Sequence, residues 1–334
     1  DPLDVAEKYG TDAVRLSLVI GNTPGNDLKM SEDKIAYFRN FTNKLWNISR
    51  FILMTCGTVK RQKSRPAAKT LADKWILGRL DETVKSVTKD IESYNLSRPG
   101  ETLRDFTWNE LADWYLEIAK IEGGKEAMLA YLLENVLKLW HPFMPFVTEE
   151  IYKRMFAAAE GDFLMLASWP KAGKGADKAV EKDFGLIRDV IASIRTIRAN
   201  YKVEPSKKID ALLVAGKSVA LLGRHEMIIR GLARVERLEI AAKHRRPEKT
   251  AGDVVRGVSV FVPLGALVDL GAEKKRLGDE LAMAEKYAAS LEGKLANKDF
   301  VARAPAQVVA AEREKLEATK DKVAKLKAQI EGLA

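Results

Sequence analysis

Apolar residues in the first 170 positions recur at alternating steps of three and four, the period of helices that bury one face. The seam Phe38, Phe41, Leu45, Ile48, Ile52 predicts a long helix, and Ser31 followed by Glu32 and Asp33 gives it an N-cap and an acidic first turn. A short helix over Val5–Ile20 is expected before it, followed by a turn-forming Gly21-Asn22-Thr23-Pro24-Gly25-Asn26 loop. Later helices are expected over about Leu71–Tyr94, Arg98–Glu122 and Glu126–His141. Pro142 and Pro145 interrupt the backbone hydrogen bonding, and Thr148 is read as the cap of a new helix, with Glu149 and Glu150 in its first turn. Long helices with short joins imply an antiparallel bundle.

The pattern changes after about residue 180. A helix with the seam Phe184, Ile187, Ile191, Ile194, Ile197 leads to Pro205. Strand-like runs follow at Ile209–Val214, Val235–Ala241 and Val254–Val262, with a helix at about Glu226–Ala233, which together make a small α+β module. Leu277, Leu281, Ala284, Ala288, Leu291 and Leu295 then keep heptad spacing, as do Val309, Leu316, Val323, Leu326, Ile330 and Leu333. The fold class expected is therefore mainly α: an antiparallel helical bundle, a small α+β module and a C-terminal antiparallel coiled-coil hairpin. The expected divisions are residues 1–30, 31–170, 180–265 and 266–334.

Composition narrows the chemistry. One cysteine, Cys56, and three scattered histidines, His141, His225 and His244, cannot build a zinc ribbon and argue against catalytic Cys/His chemistry. No metal site or catalytic residue is expected in the chain. No apolar run reaches the roughly 20 residues a membrane helix needs, and no signal peptide opens the chain; a reducing cytoplasm suits its single thiol. The chain starts at Asp1 without a methionine and is read as part of something longer. Its net charge is +9, and the interval Lys34–Ala72 contains no Asp or Glu but holds Lys34, Arg39, Lys44, Arg50, Lys60, Arg61, Lys63, Arg65 and Lys69. A segment of one sign attracts phosphate, so a nucleic-acid partner explains it better than a soluble basic loop.

Binding residues are sought where the seam rule is broken. Arg39, Asn43, Asn47 and Arg50 fall opposite the seam of their helix, and Phe51 lies off it, seven residues beyond Lys44. A ring beside cations and amides suits unpaired bases: the ring stacks, Asn reads base edges, and Arg and Lys hold phosphates. Packing against a neighbouring helix is an equally good account of Phe51. In the third helix the seam Leu111, Trp114, Ile118, Ile121 leaves Leu116 on the opposite face, near Asp113 and Lys120. The Lys243, Arg245, Arg246, Lys249 cluster reads as a solvated loop. The balanced charges of the heptad helices fit a plain coiled coil or a dimer zipper.

Several segments carry a family resemblance. Asp1-Pro2-Leu3-Asp4 and Tyr9-Gly10-Thr11-Asp12-Ala13-Val14-Arg15 are similar to the stretch after the ATP-site loop of class I aminoacyl-tRNA synthetases for branched aliphatic amino acids. Lys29-Met30-Ser31 is read as a capped helix start and not as that ATP-site signature. The run Arg39 to Phe51, Asp113-Trp114-Tyr115-Leu116-Glu117, and His141-Pro142-Phe143-Met144-Pro145-Phe146-Val147-Thr148-Glu149-Glu150 resemble the anticodon-binding bundle of those enzymes. Leu295-Ala296-Asn297-Lys298-Asp299-Phe300-Val301-Ala302-Arg303-Ala304-Pro305 resembles the hairpin turn of the valyl family's C-terminal arm. The resemblance is thus to the C-terminal portion of bacterial valyl-tRNA synthetases.

The resemblance implies a chain that recognises tRNA-Val and is itself inactive, with the catalytic and editing domains elsewhere; residues 1–30 would close the catalytic core. ATP with magnesium would serve the full-length enzyme, with no cofactor in this stretch. Arg39, Asn43, Lys44, Asn47, Arg50, Phe51, Leu116 and Lys120 would face the anticodon, and Lys294, Lys298 and Arg303 the outer corner of the tRNA. A cytoplasmic monomer is expected. An isoleucyl or leucyl relative, or a non-enzymatic coiled-coil adaptor, remain alternatives.

Overall fold

The computed structural model describes residues 1–22, 25, 30–57, 64–156, 160–263, 270–296 and 306–332, and divides into two units, Asp1–Gly185 and Leu186–Ala334. The first unit is helical. The expected Val5–Ile20 helix is two, α1 (Pro2–Tyr9) and α2 (Thr11–Val19), because Gly10 sits at φ 89, outside the helical region. Helix α3 (Glu32–Cys56) starts as anticipated, with the Ser31 hydroxyl accepting from the Lys34 N–H at 3.2 Å, and stops at Gly57. Its seam is interior: Phe41, Leu45 and Ile52 are fully buried, each contributing about 1.5–3 kcal/mol by leaving water. Phe41 lies 4.9 Å from Trp140 and stacks at 6.2 Å on Trp108, and the Trp140 indole N–H donates to Thr107 Oγ1 at 3.0 Å.

Helix α4 (Leu71–Glu92) opens with a capping box: the Thr70 hydroxyl accepts from the Asp73 N–H, and the Asp73 carboxylate accepts from the Thr70 N–H. The expected third helix is a composite. An α-helical segment, α5 (Ser97–Asp105), runs into a π-helix over Phe106–Leu116 and returns to α-helix in α6 (Glu117–Glu122). This corrects the placement of Leu116. A π-turn takes more residues than an α-turn, so each residue advances less than roughly 100°, and the lag accumulates through the segment. The buried residues come in pairs, Phe106-Thr107, Leu111-Ala112 and Tyr115-Leu116, while Trp114, expected on the seam, is half-buried. Leu116 is 5% exposed and part of the core, not an outward-facing residue.

Helix α7 (Glu126–Trp140) follows, then α8 (Pro145–Phe156). Helix α8 begins three residues before the expected cap. Thr148 is buried inside it, its hydroxyl donating back to the Met144 carbonyl at 2.7 Å. The N-terminus is capped from a distance: Asp12 on α2 accepts from the N–H groups of Phe146 (3.4 Å) and Val147 (2.7 Å), while Pro145 has no N–H to satisfy. A buried polar cluster ties α4, the π-helix and the α6–α7 turn together. Asp73 accepts from Tyr115 Oη (2.7 Å) and Lys125 Nζ (2.8 Å), and Lys125 also pairs with Glu122 at 2.6 Å. Helix α9 (Lys178–Asn200) continues across the division; within the first unit, Phe184 at its start stacks on Trp75 at 4.2 Å.

The second unit holds a four-stranded sheet of order β2-β1-β4-β3. Strands β1 (Ile209–Val214) and β2 (Val235–Ala241) fall where the sequence places them and pair in parallel. The crossover that parallel pairing demands contains α10 (Val219–Arg224) and α11 (Glu226–Ala233). The single expected strand Val254–Val262 is a hairpin, β3 (Thr250–Val255) and β4 (Val258–Pro263), turning at Arg256 and Gly257 with φ 46 and 80. Two successive positive-φ residues are the signature of a type I′ turn. Ser193 on α9 is hydrogen-bonded to Asp253 of that hairpin at 2.6 Å. The heptad segments form helices α12 (Leu270–Ala296) and α13 (Ala306–Gly332), with Leu277, Ala284, Leu291, Val309 and Leu326 buried. Ion pairs Lys294–Glu312, Glu292–Lys320 and Glu285–Lys327 bridge the two helices in antiparallel order, and Glu280–Lys322 adds a fourth bridge.

Candidate nucleic-acid interface

Helix α3 carries the candidate surface because its burial is one-sided. With the seam turned inward, Arg39, Asn43, Asn47 and Arg50 project along the opposite side and all four are exposed. Asn43, Asn47 and Arg50 have no hydrogen-bond or ion-pair partner among the described residues, so a ligand would meet their donors without first breaking a protein contact. Arg39 lies over the Tyr9 ring at 5.7 Å and reaches Asn40 at 3.5 Å.

One flank of this stripe is built by the π-helix and α6. Lys44 sits 5.0 Å from the Trp108 ring centre and 3.3 Å from Asp113. Lys120 lies over the Phe51 ring at 4.8 Å and pairs with Glu117 at 2.6 Å. The structure therefore brings Phe51 and Lys120 together, although they lie 69 positions apart, and joins Lys44 to the same side. It does not add Leu116, whose side chain is buried. The Asp73–Tyr115–Lys125 cluster fixes the segment on either side of α6, and so fixes Lys120. Burial alone would raise the Asp73 carboxyl, but hydrogen bonds from Lys125 and Tyr115 outweigh it and hold it below the ordinary range.

The opposite flank faces α8 and was not legible beforehand. Trp46, Arg50, Leu53, Met54, Ile151 and Arg154 line an apolar cavity of about 290 Å³, with the Arg154 guanidinium 4.9 Å from the Trp46 ring centre. Trp46 and Arg50 share the i, i+4 spacing of one helix face, but Arg154 is 108 positions away from Trp46, and nothing local announces that contact. Trp108 was missed for the same reason.

Several of the basic residues serve other ends. Arg65 is spent on buried Asp81 at 2.6 Å, and Lys294 pairs with Glu312 at 3.1 Å. Lys60, Arg61, Lys63, Lys298 and Arg303 lie outside the described residues. The Cys56 thiol is pushed up to about 11 by burial and donates to the Glu126 carbonyl at 3.3 Å, which makes it a poor nucleophile. No helix among the described residues is long and apolar enough to cross a membrane.

The exposed face of α3, with its arginines and amides, is flanked by aromatic rings on a helical unit. The family model for the anticodon-binding domain of tRNA ligases matches residues 73–213, which include the π-helix, Lys120 and Arg154. The model for the valyl-tRNA synthetase tRNA-binding arm matches residues 269–334, the α12–α13 helices. The valine–tRNA ligase of Geobacillus kaustophilus is 39% identical over 348 residues, and that of Geobacter sulfurreducens 40% identical over 347. These alignments cover 98% and 99% of this chain, α3 included. Along nearly its whole length the chain is thus similar to part of these valine–tRNA ligases. It spans 39% of the length of those curated relatives. A solved LeuRS–tRNA–LeuAMS ternary complex from Agrobacterium radiobacter K84 shows a distant likeness, with 19% identity, a TM-score of 0.43, and coverage of 52% of this chain and 21% of that one.

Proposed function

We propose that this chain is the tRNA-recognising part of an ATP-dependent valine–tRNA ligase, binding tRNA-Val and leaving the chemistry to polypeptide outside these 334 residues. The observation that carries the reading is the exposed stripe Arg39, Asn43, Asn47, Arg50 with Phe51 at its edge, on a chain similar to valine–tRNA ligases along nearly its whole length. The arginines neutralise phosphates, the asparagine amides meet base edges, and the Phe51 ring takes a base. Lys120 already covers one face of that ring, so an incoming base either displaces it or stacks on the other face. Lys44 and Lys120 each keep a carboxylate partner and add less charge than their number implies.

The same reading divides the chain into a connecting segment (1–30), an anticodon-binding helical bundle (31–170), an α+β module (180–265) and a coiled-coil arm (266–334). The arm meets the outer corner of the tRNA through residues such as Lys294, Lys298 and Arg303. Lys294 must then exchange Glu312 for phosphate. ATP and magnesium belong to the parent enzyme's activation of valine. The chain works as a cytoplasmic monomer, with the ion pairs between α12 and α13 closing the arm on itself.

The test is binding of a tRNA-Val transcript against an unrelated tRNA across a salt series. Specific binding should weaken with a slope of about −0.7 to −0.9 in log affinity per log salt for each phosphate neutralised. Base stacking is worth roughly 1–3 kcal/mol, and a displaced cation–π contact costs back about 0.5–1. Phe51→Ala should therefore weaken binding by about 0.5–2 kcal/mol. Equal affinity for the two RNAs, or a flat salt response, overturns the reading.

A further inference from the structure

We propose that the cavity between α3 and α8 receives a second unpaired nucleobase of the bound RNA, distinct from the one at Phe51. This rests on the RNA-binding reading above. The cavity has an aromatic wall in Trp46, a buried aliphatic floor in Ile151, and an exposed lip in Met54. Its volume, about 290 Å³, is at the lower end of small-molecule pockets, roughly 300–1,000 Å³, and suits one planar ring system better than a peptide segment.

The charged groups on its wall choose the occupant. Two guanidinium groups line the cavity, and no carboxylate does. Arg154 lies over Trp46, with its Nε on Glu150 at 2.7 Å; Arg50 has no partner among the described residues. An apolar peptide side chain would gain nothing from two cations at the mouth. A nucleobase brings both an apolar face for Trp46 and Met54 and a phosphate for Arg50 and Arg154. Arg50 belongs both to this cavity and to the exposed stripe, so one strand of RNA crossing α3 reaches Phe51 on one side and Trp46 on the other.

The test uses the whole chain and a set of anticodon-arm stem-loops of tRNA-Val, each with 2-aminopurine at a single loop position. Fluorescence anisotropy reads binding, and quenching of 2-aminopurine, excited beyond the tryptophan band, reads stacking. At one loop position quenching should occur, disappear in Trp46→Leu, return in Trp46→Phe, and persist at saturation in Phe51→Ala. Trp46→Leu should lower affinity roughly 5- to 150-fold, the range for loss of a stacked base. Arg154→Gln, a change to an exposed side chain, keeps the test valid if Trp46→Leu does not fold. It should lower affinity about 2- to 5-fold and weaken quenching at the same position. A stem-loop that binds with no quenched position, or with quenching indifferent to both substitutions, overturns the second subsite and leaves the RNA-binding reading intact. A stem-loop that does not bind at all overturns both.

Discussion

Replacing Lys125 with methionine tests whether one buried ion pair holds the scaffold beneath Phe51 and Lys120. The side chains of Lys125 and Asp73 keep only 7% and 3% of their surface, and their charges meet at 2.8 Å. With the lysine gone, Asp73 retains the N–H groups of Lys69 (2.9 Å) and Thr70 (3.1 Å) and the Tyr115 hydroxyl (2.7 Å). It would nevertheless be an interior anion with no counter-charge. Glu122 would lose the same partner. Breaking a buried pair from one side costs about 3–5 kcal/mol, and the three surviving hydrogen bonds put the expectation near 3. The double variant Asp73→Asn/Lys125→Met removes both charges and should recover about half of the loss.

All six tryptophans lie before Gly185, so urea unfolding followed by tryptophan fluorescence reads the first unit alone. A loss under about 1 kcal/mol, or a double variant no more stable than the single one, refutes the assignment. The pH dependence gives a second check. The Asp73 carboxyl is lowered in the folded state, so on acidification the unfolded chain takes up the proton first. Its stabilisation is complete above the unfolded value of about 4 and is lost as pH falls through the folded value. The stability gap between the native chain and Asp73→Asn must narrow below about pH 4. A gap that widens there would mean the sign is wrong.

Two further outcomes follow from the corrected helices. Leu116→Ala should cost about 2–3 kcal/mol of stability, read by the same fluorescence assay, because the side chain is core. Its effect on tRNA affinity, measured where the variant is folded, should stay under about threefold; a larger loss would restore Leu116 to the binding face. Asp12→Ala strips α8 of its cap and leaves the Phe146 and Val147 N–H groups without it, for about 1–2 kcal/mol; a stability unchanged within 0.5 or so would refute that role.

What the sequence could reveal was set by the range of the interaction. Signals confined to a few neighbouring residues carried over: the Ser31 cap, the α3 seam, the strands β1 and β2, and helix α11. The errors occur where a distant residue or an altered backbone period decides the outcome. Thr148 offered a local cap, yet Pro145 can start a helix earlier because its missing N–H costs nothing, and Asp12, 134 positions from Phe146, supplies the acceptor. The Arg256-Gly257 turn was hidden because Val254 to Val262 reads as one β-rich run, although a glycine in its middle offered the break.

The π-helix has the largest functional consequence. A 100° wheel gives Leu116 to the solvent and Trp114 to the core, and the wheel is wrong only because the backbone period changes within the segment. The correct period was in principle visible: the pairs Phe106-Thr107, Leu111-Ala112 and Tyr115-Leu116 repeat at steps of five and four, longer on average than an α-helical turn. That slower rotation keeps Tyr115 turned inward to Asp73 while Trp108 and Asp113 stay beside Lys44. An α-helical run of the same length could not meet both demands from the same residues. The irregular backbone is therefore what couples the buried ionic cluster to the polar flank of α3, and the binding surface inherits its geometry from a period that side-chain chemistry alone does not announce.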